Sequence, residues 1–240
     1  MKMENKLNYL TEKFEREGFA FSELQKRQFY TFYEMLIEKN KVMNLTGITE
    51  FEEVVEKHFL DSLSLNKVEN LHKPLHVLDL GTGAGFPGIP LKIAFPKLQI
   101  TLADSLNKRI LFLEEVIKEL GLTSISTVHG RAEDLACDVS YREKFDLCVS
   151  RAVANLSTLE EYCLPFVHIG GKFISYKSGD IESEVQESKK ACNVLGGKLE
   201  KIYKFELEKN KRSFVIVKKI KMTQKKYPRK AGTPSKDPIH

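Results

Sequence analysis

The segment that most constrains this chain is residues 75–88, LHVLDLGTGAGFPG. Residues 75–80 form an apolar run of strand length with one acid, Asp79, and the run empties into Gly81, Gly83 and Gly85. Helix-forming sequence follows, with Pro87 expected in the first helical turn, where a missing amide donor costs nothing. An apolar strand, a glycine-rich turn and a helix make the first βα unit of a nucleotide-binding α/β domain. Glycine is needed because the backbone turns through φ values closed to other residues and admits a ligand closely. The spacing separates ligands. A dinucleotide fingerprint requires glycine at the sixth place of G-x-G-x-x-G, and that place holds Phe86.

Beyond this unit strand and helix alternate. Residues 99–104 read as a second strand closing on Asp104, which lies 19 positions after Gly85 and can accept hydrogen bonds from a ribose diol or cap the next helix. Residues 108–120 carry Leu113, Val116, Ile117 and Leu120 on one helical stripe and stop at Gly121. Residues 125–129 are a third strand followed by Gly130-Arg131-Ala132-Glu133, and residues 145–150 a fourth followed by Arg151. Gly170-Gly171 reads as a turn into a fifth strand over 172–176, and residues 199–205 and 214–217 complete seven. The pattern predicts an α/β fold: a seven-stranded, mostly parallel, doubly wound sheet with helices on both faces and ligand sites beyond the strands' carboxyl ends. Asp79 with its glycines, Asp104, Ala132-Glu133 and Arg151 all fall at such ends, and their convergence on one edge is stronger than any of them alone.

Residues 1–73 have helical periodicity and are expected to form a helical layer against the α/β domain at 74–220, with a basic tail over 221–240. Leu7, Leu10 and Phe14 lie three and four apart; Ser22 and Gln25 suit a capping box ahead of Phe29, Phe32, Tyr33, Leu36 and Ile37. Asn44-Leu45-Thr46-Gly47 reads as a turn, and Thr49 with Glu52 as a second capping box. His58, Asp61 and Ser62 share a helix face, either bonded to neighbouring elements or belonging to a functional site. No segment approaches the roughly 20 apolar residues of a membrane span, and the N-terminus lacks a signal-peptide core. Cys137, Cys148, Cys163 and Cys192 show no C-x-x-C spacing and are expected as reduced, buried thiols of a cytoplasmic protein; the dispersed histidines suggest no metal site. The net charge of +5 is uneven: residues 218–236 hold eight basic side chains and no acid, leaving 5 − 8 = −3 elsewhere. A polyanion partner, or a solvated terminus, accounts for such a tail.

The D-x-G-x-G-x-G of residues 79–85 resembles motif I of the class I S-adenosylmethionine-dependent methyltransferases. At the end of the fourth strand, enzymes of that class acting on exocyclic amines show N/D-P-P-Y/F/W, and those acting on pyrimidine C5 use a cysteine nucleophile. This chain has Ser150-Arg151-Ala152-Val153-Ala154, with Cys148 inside the strand. An acceptor with a free lone pair, such as guanine N7, carries no proton and requires neither base nor nucleophile, so positioning and electrostatics suffice. Arg151 suits guanine O6, a phosphate or a structural ion pair.

Together GTGAGFPGIPLKI (81–93), DSLNKRILFLEE (104–115), GRAE (130–133), SRAVA (150–154), NLTGIT (44–49), KHFLDSL (57–63) and the C-terminal KKYPRKAGTPSKDPI resemble the RsmG (GidB) family over nearly the whole chain. Its members methylate guanine N7 in the decoding-region loop of bacterial 16S ribosomal RNA. The resemblance implies the Rossmann-like class I methyltransferase fold, S-adenosylmethionine as methyl donor, and 16S ribosomal RNA or the small ribosomal subunit as partner; a monomer is expected, though the sequence itself does not give the oligomeric state. It implies cofactor contacts at Gly81, Phe86, Ala132, Glu133 and Arg151, with Asp79, Gly83, Gly85 and Asp104 added by analogy with the wider class. RNA contacts are expected at Arg131, Lys225, Lys226, Arg229 and Lys230, and Arg151 is expected to position guanine or phosphate. Lys177-Ser178-Gly179 replaces the Lys-Gly common in the family. The competing readings are a dehydrogenase on the same fold, disfavoured by Phe86, and a non-catalytic ribosomal RNA-binding factor.

Overall fold

A computed structural model of the chain describes residues 2–151 and 153–240, so Ala152 of the 150–154 motif lies outside the described residues. Seven strands, β1 (His76–Leu80), β2 (Gln99–Asp104), β3 (Ile125–His129), β4 (Phe145–Arg151), β5 (Val167–Ser178), β6 (Gly197–Leu207) and β7 (Asn210–Lys219), form one sheet in the order β3-β2-β1-β4-β5-β7-β6. The first five pair in parallel, and β7 lies antiparallel between β5 and β6. Strand order reverses between β1 and β4, so the crevice for a ligand opens above these two strands.

Alternation along the strands sends side chains to two cores. Val77, Leu147, Ile174 and Ile216 face the layer holding α1 (Met3–Arg16), α2 (Glu23–Met43), α5 (Gly88–Ala94) and α6 (Asn107–Glu119). Leu78, Cys148, Phe173 and Val217 face α7 (Ala132–Leu135), α8 (Leu156–Cys163) and α9 (Glu182–Val194). The N-terminal helices bring a buried aromatic seam to the first face: Phe29 packs on Phe59 at 5.1 Å and Phe32 on Phe86 at 5.3 Å between ring centroids. The expected Ser22–Gln25 capping box is formed, and the Gln25 amide also donates to the Ile93 carbonyl at 2.8 Å, tying the start of α2 to α5. This places the N-terminal layer against the helix that follows the glycine loop.

The Thr49–Glu52 capping box is not formed. Glu50 takes the N-cap position of α3 (Phe51–Val54) without a side-chain bond. The helix then passes through wider turns over Val55–Leu60 into α4 (Asp61–Leu63) and a tight turn, Ser64–Lys67. Burial of Phe51, Val54, Val55 and Phe59 holds this segment in place of a cap, and such wide turns re-aim side chains within a helix. Gly170-Gly171 is not a turn either, because β5 runs through it with a register shift against β4 between Phe145 and Leu147. A Cβ on Gly171 would sit 2.6 Å from the Asp146 carbonyl, so the bulge needs glycine. Pro87 caps α5 rather than entering its first turn. Cys137 is exposed, since α7 ends at Leu135 over the sheet's margin, whereas Cys148, Cys163 and Cys192 are buried free thiols.

Candidate active site

The glycine loop is held from below by Asp79. This aspartate is wholly buried, and its Oδ2 accepts hydrogen bonds from the Thr82 hydroxyl at 2.7 Å and the Gly88 amide at 2.8 Å. Its Oδ1 is buried without a partner. Burial pushes the carboxyl up to about 6, against the pull of those two donors. Above it Gly81 and Gly83 adopt φ of +74° and +61°, which side chains rarely tolerate. At the end of β2, Asp104 receives the Gly83 amide on Oδ2 at 2.9 Å and the Leu106 amide on Oδ1 at 2.9 Å, while Arg109 reaches Oδ2 at 3.2 Å. Three donors leave one lone pair of this carboxylate open, and the longer contact from partly exposed Arg109 is exchangeable.

Two cavities lie along these strand ends. One, about 380 Å³, is bounded by the glycine loop, Phe86, Asp104, Arg109, Arg151 and, from the N-terminal layer, Thr46 and His58. The other, about 290 Å³, is bounded by Arg131, Ala132, Glu133, Tyr162 and two tail residues, Gly232 and Ser235. Gly81, Asp104, Ser105 and Val153 border both. The cavities are therefore adjoining halves of one trough across the ends of β1, β2 and β3, of a volume that suits a small extended ligand. The sequence-derived residues separate accordingly. Gly81, Gly83, Phe86, Asp104 and Arg151 edge the first half, Ala132 and Glu133 the second, and Asp79 and Gly85 shape the loop from beneath and behind.

Arg151 ends β4 and reaches across to the N-terminal layer. It donates to Asp61 Oδ2 at 2.8 Å, to the Lys57 carbonyl at 3.2 Å and to His58 Nδ1 at 3.2 Å, and its guanidinium lies 5.1 Å from the Phe86 ring centre. A guanidinium only donates, so His58 Nδ1 is an acceptor and the proton resides on Nε2. Nε2 donates to the Thr46 hydroxyl at 2.8 Å, and the imidazole stacks on Phe86 at 4.5 Å. Burial, reinforced by the Arg151 charge, lowers His58 to about 4. Asp61 also receives Arg212 from β7 on Oδ1 at 2.8 Å. Ser62 turns its hydroxyl back to the His58 carbonyl at 2.6 Å, and Tyr176 donates to the Ser62 carbonyl at 2.8 Å. Of the trio on that helix face, His58 and Asp61 reach the site and Ser62 braces the helix.

The C-terminal tail is fastened to the α8 face. Arg229 donates to both oxygens of buried Glu161, Nε to Oε1 at 3.0 Å and Nη2 to Oε2 at 2.7 Å, and also meets Asp237. The Gly232 amide donates to Glu133 Oε1 at 2.8 Å, and the Thr158 hydroxyl donates to the Pro234 carbonyl at 2.9 Å. Lys219 is fully buried, donating to the Leu164 carbonyl and the Thr223 hydroxyl, and burial lowers it to about 8. Two of the eight basic residues are thus engaged inside the fold. Lys225, Lys226, Lys230 and the separate Arg131 are exposed.

Thr46, Arg109, Gly232 and Arg212 border or brace the site although none of them was singled out from the sequence as a site residue. Arg109 stands inside the 104–115 motif, but it lies five positions from Asp104 across the boundary between β2 and α6, where helical spacing gives no signal of their contact. Arg212 sits in an N-K-R run beside a hairpin turn and carries no such signal.

Comparison with known proteins gives consistent matches. The family model described as GidB, rRNA small subunit methyltransferase G, matches residues 25–215. The ribosomal RNA small subunit methyltransferase G of Lachnoclostridium phytofermentans is 53% identical over 224 residues, covering 92% of this chain and 93% of that protein. The protein of the same name from Brevibacillus brevis is 51% identical over 225 residues, covering 93% and 94%. Among solved structures, a SAM-dependent methyltransferase from Aquifex aeolicus superposes with a TM-score of 0.51 at 17% identity, covering 69% of this chain and 92% of that one. That likeness is one of fold.

Proposed function

Because the chain belongs to the GidB family of ribosomal RNA small subunit methyltransferases, we propose that it transfers a methyl group from S-adenosylmethionine to guanine N7 in the decoding-region loop of 16S ribosomal RNA. The observation that carries the choice of atom is the state of the titratable groups around Arg151. Among the described residues there, His58 has its lone pair bonded to Arg151, and both carboxylate oxygens of Asp61 are held by arginines. His58 thus has no lone pair left for a proton, and Asp61 is committed to an ion pair with two guanidiniums. An acceptor that arrives with an unprotonated lone pair needs no such group, and guanine N7 is one.

The residues along the trough suit the cofactor. Asp104 keeps a lone pair for a ribose hydroxyl, and Ala132 and Glu133 flank a space for a base. The open side of Gly83 admits the chain of an amino acid, since a Cβ there would meet only the Gly81 carbonyl, at 4.0 Å. Buried Oδ1 of Asp79 offers an acceptor below the loop. When bound, S-adenosylmethionine supplies a methyl on a sulfonium, which a lone pair accepts without loss of a proton. Phe86 and His58 then exclude water from that end, and Arg151 holds the acceptor through guanine O6. The substrate supports a cytoplasmic location, and no helix among the described residues is long and apolar enough to cross a membrane. Incubation with radiolabelled S-adenosylmethionine and unmodified 16S ribosomal RNA should place label in 7-methylguanosine. Label in another nucleoside, or binding of a nicotinamide dinucleotide in place of S-adenosylmethionine, overturns the proposal.

A further inference from the structure

Arg151 and His58 border a second cavity, of about 370 Å³, on the side away from the glycine loop. It lies over the ends of β4 and β5, where Tyr176, Lys177 and Ser178 pair with Phe214, Ser213 and Arg212 of β7. Arg151 and His58 are the two residues that it has in common with the first half of the trough, so they form the partition between the spaces. Ligands held on the two sides of that partition meet at Arg151.

We infer that this cavity receives the acceptor guanine, everted from the RNA, with Phe205 as its stacking wall and the Arg212–Asp61 pair as the group that recognises it. The inference rests on the proposed transfer to guanine N7 and assigns the site where that base is held. A base stacked in RNA cannot reach a cofactor in a trough and must be turned out, which proteins achieve by offering an aromatic face and hydrogen bonds to the base edge. Phe205 is half-buried at the cavity and stacks on Phe214 at 5.2 Å with 20° between planes, a supported platform.

The charge of the cavity suits guanine in particular. Asp61 is shared by two guanidiniums, Arg151 on Oδ2 and Arg212 on Oδ1. One carboxylate against two arginines leaves one positive charge and free N–H donors. Guanine presents O6 as an acceptor to these donors while N7 on the same edge stays unpaired for the methyl, whereas adenine replaces O6 by an amino group that would face donors with donors. These donors are partly withdrawn from water, and the wrong base would leave them unpaired, which costs affinity. At the rim Lys57 and Lys177 are each paired with a glutamate, Glu53 and Glu184, and stand where the flanking phosphates of an everted nucleotide pass.

The test uses the full-length enzyme, 16S ribosomal RNA transcribed with 6-thioguanosine in place of guanosine, and S-adenosylhomocysteine. Near-ultraviolet irradiation should cross-link the RNA to the peptides holding Phe205, Arg212 or Lys177. In parallel, Phe205→Ala should slow single-turnover methylation at saturating RNA and cofactor by roughly 5- to 150-fold, the range for loss of one stacking platform. Phe205→Tyr keeps the platform and should stay within about threefold of wild type. Affinity for S-adenosylmethionine should change by less than about twofold in both, since Phe205 does not border the trough. Arg212→Lys retains the charge but not the fork, and should lower the rate and weaken discrimination between guanine and adenine at the target. Cross-links confined to other surfaces, or full rates in Phe205→Ala and Arg212→Lys, overturn the assignment. So does a loss in Phe205→Ala that appears as weakened cofactor binding. If wild type methylates an atom other than guanine N7, the proposed function fails instead, and the cross-link map still reports independently where the base sits.

Discussion

Replacing Arg229 by methionine separates the tail's structural role from any role in RNA binding. Glu161 is 1% exposed, and the Arg229 side chain supplies bonds to both of its carboxylate oxygens. After the substitution the carboxylate keeps only the Arg229 backbone amide, at 2.7 Å. Removing one partner of a buried ion pair costs about 3–5 kcal/mol. Arg229 is a quarter exposed, so water replaces part of what is lost and the lower figure, about 3 kcal/mol, is the appropriate one. In a chain of this size each kcal/mol lowers Tm by about 2–4 °C, which gives a fall of about 6–12 °C. The tail also walls the second half of the trough through Gly232 and Ser235, so S-adenosylmethionine should bind more weakly as well. Thermal unfolding, limited proteolysis and titration calorimetry are the assays. If the tail frays without global unfolding, cleavage near Lys225 and Lys226 accelerates while Tm moves less. An Arg229→Met protein with unchanged melting, cleavage and cofactor affinity refutes the clamp.

Three further substitutions probe separate parts of the site. Gly83→Val forces a β-branched residue to φ near +61° and should abolish calorimetric binding of S-adenosylmethionine while unfolding stays cooperative; normal binding would remove the loop from the site. Joint replacement of Lys225, Lys226 and Lys230 by alanine removes three exposed charges, and the slope of log affinity for RNA against log salt should flatten by about 2, with Tm and cofactor affinity nearly unchanged. His58 has a folded pKa lowered from 6.5 to about 4, so the unfolded chain binds more protons between those values and acidification through that window destabilises the protein. Its contribution, fully present above pH 6.5, amounts to roughly 3 kcal/mol, and His58→Gln should show a correspondingly flatter dependence of stability on pH from about 6.5 to 4 in urea titrations. Because His58 is neutral throughout, it should contribute no titration to methylation at saturating substrates between about pH 6 and 8, and any fall near pH 6 is expected from Asp79 beneath the loop.

The fold's framework was legible where the signal is local. β2 and β3 fall at residues 99–104 and 125–129 as read from apolar runs ending in polar residues, and the glycine loop stands where its spacing put it. The Ser22–Gln25 box formed because both partners lie within one helical turn. Failures occurred where packing outweighs local chemistry. Thr49 and Glu52 have the capping pattern, yet burial of Phe51 and Val54 starts the helix at a different residue. The meeting of His58, Asp61 and Arg151 joins residues about ninety positions apart, and helical spacing could only place the first two on a common face. Lys225, Lys226 and Arg229 look alike in a basic run. Only the position of Glu161 on α8 distinguishes the one that is held in an ion pair from those left facing solvent.

The acceptor proposed for this enzyme is a lone pair on guanine N7, bound without a general base. It is tested most directly with 16S ribosomal RNA whose target guanosine is replaced by 7-deazaguanosine, which carries carbon at that atom and keeps O6 and the Watson–Crick edge. The enzyme should bind this RNA with nearly unchanged affinity and transfer no methyl group to it, while methylating the unmodified RNA under the same conditions. Transfer to the 7-deaza RNA at a rate comparable to the natural substrate would rule out N7 as the acceptor.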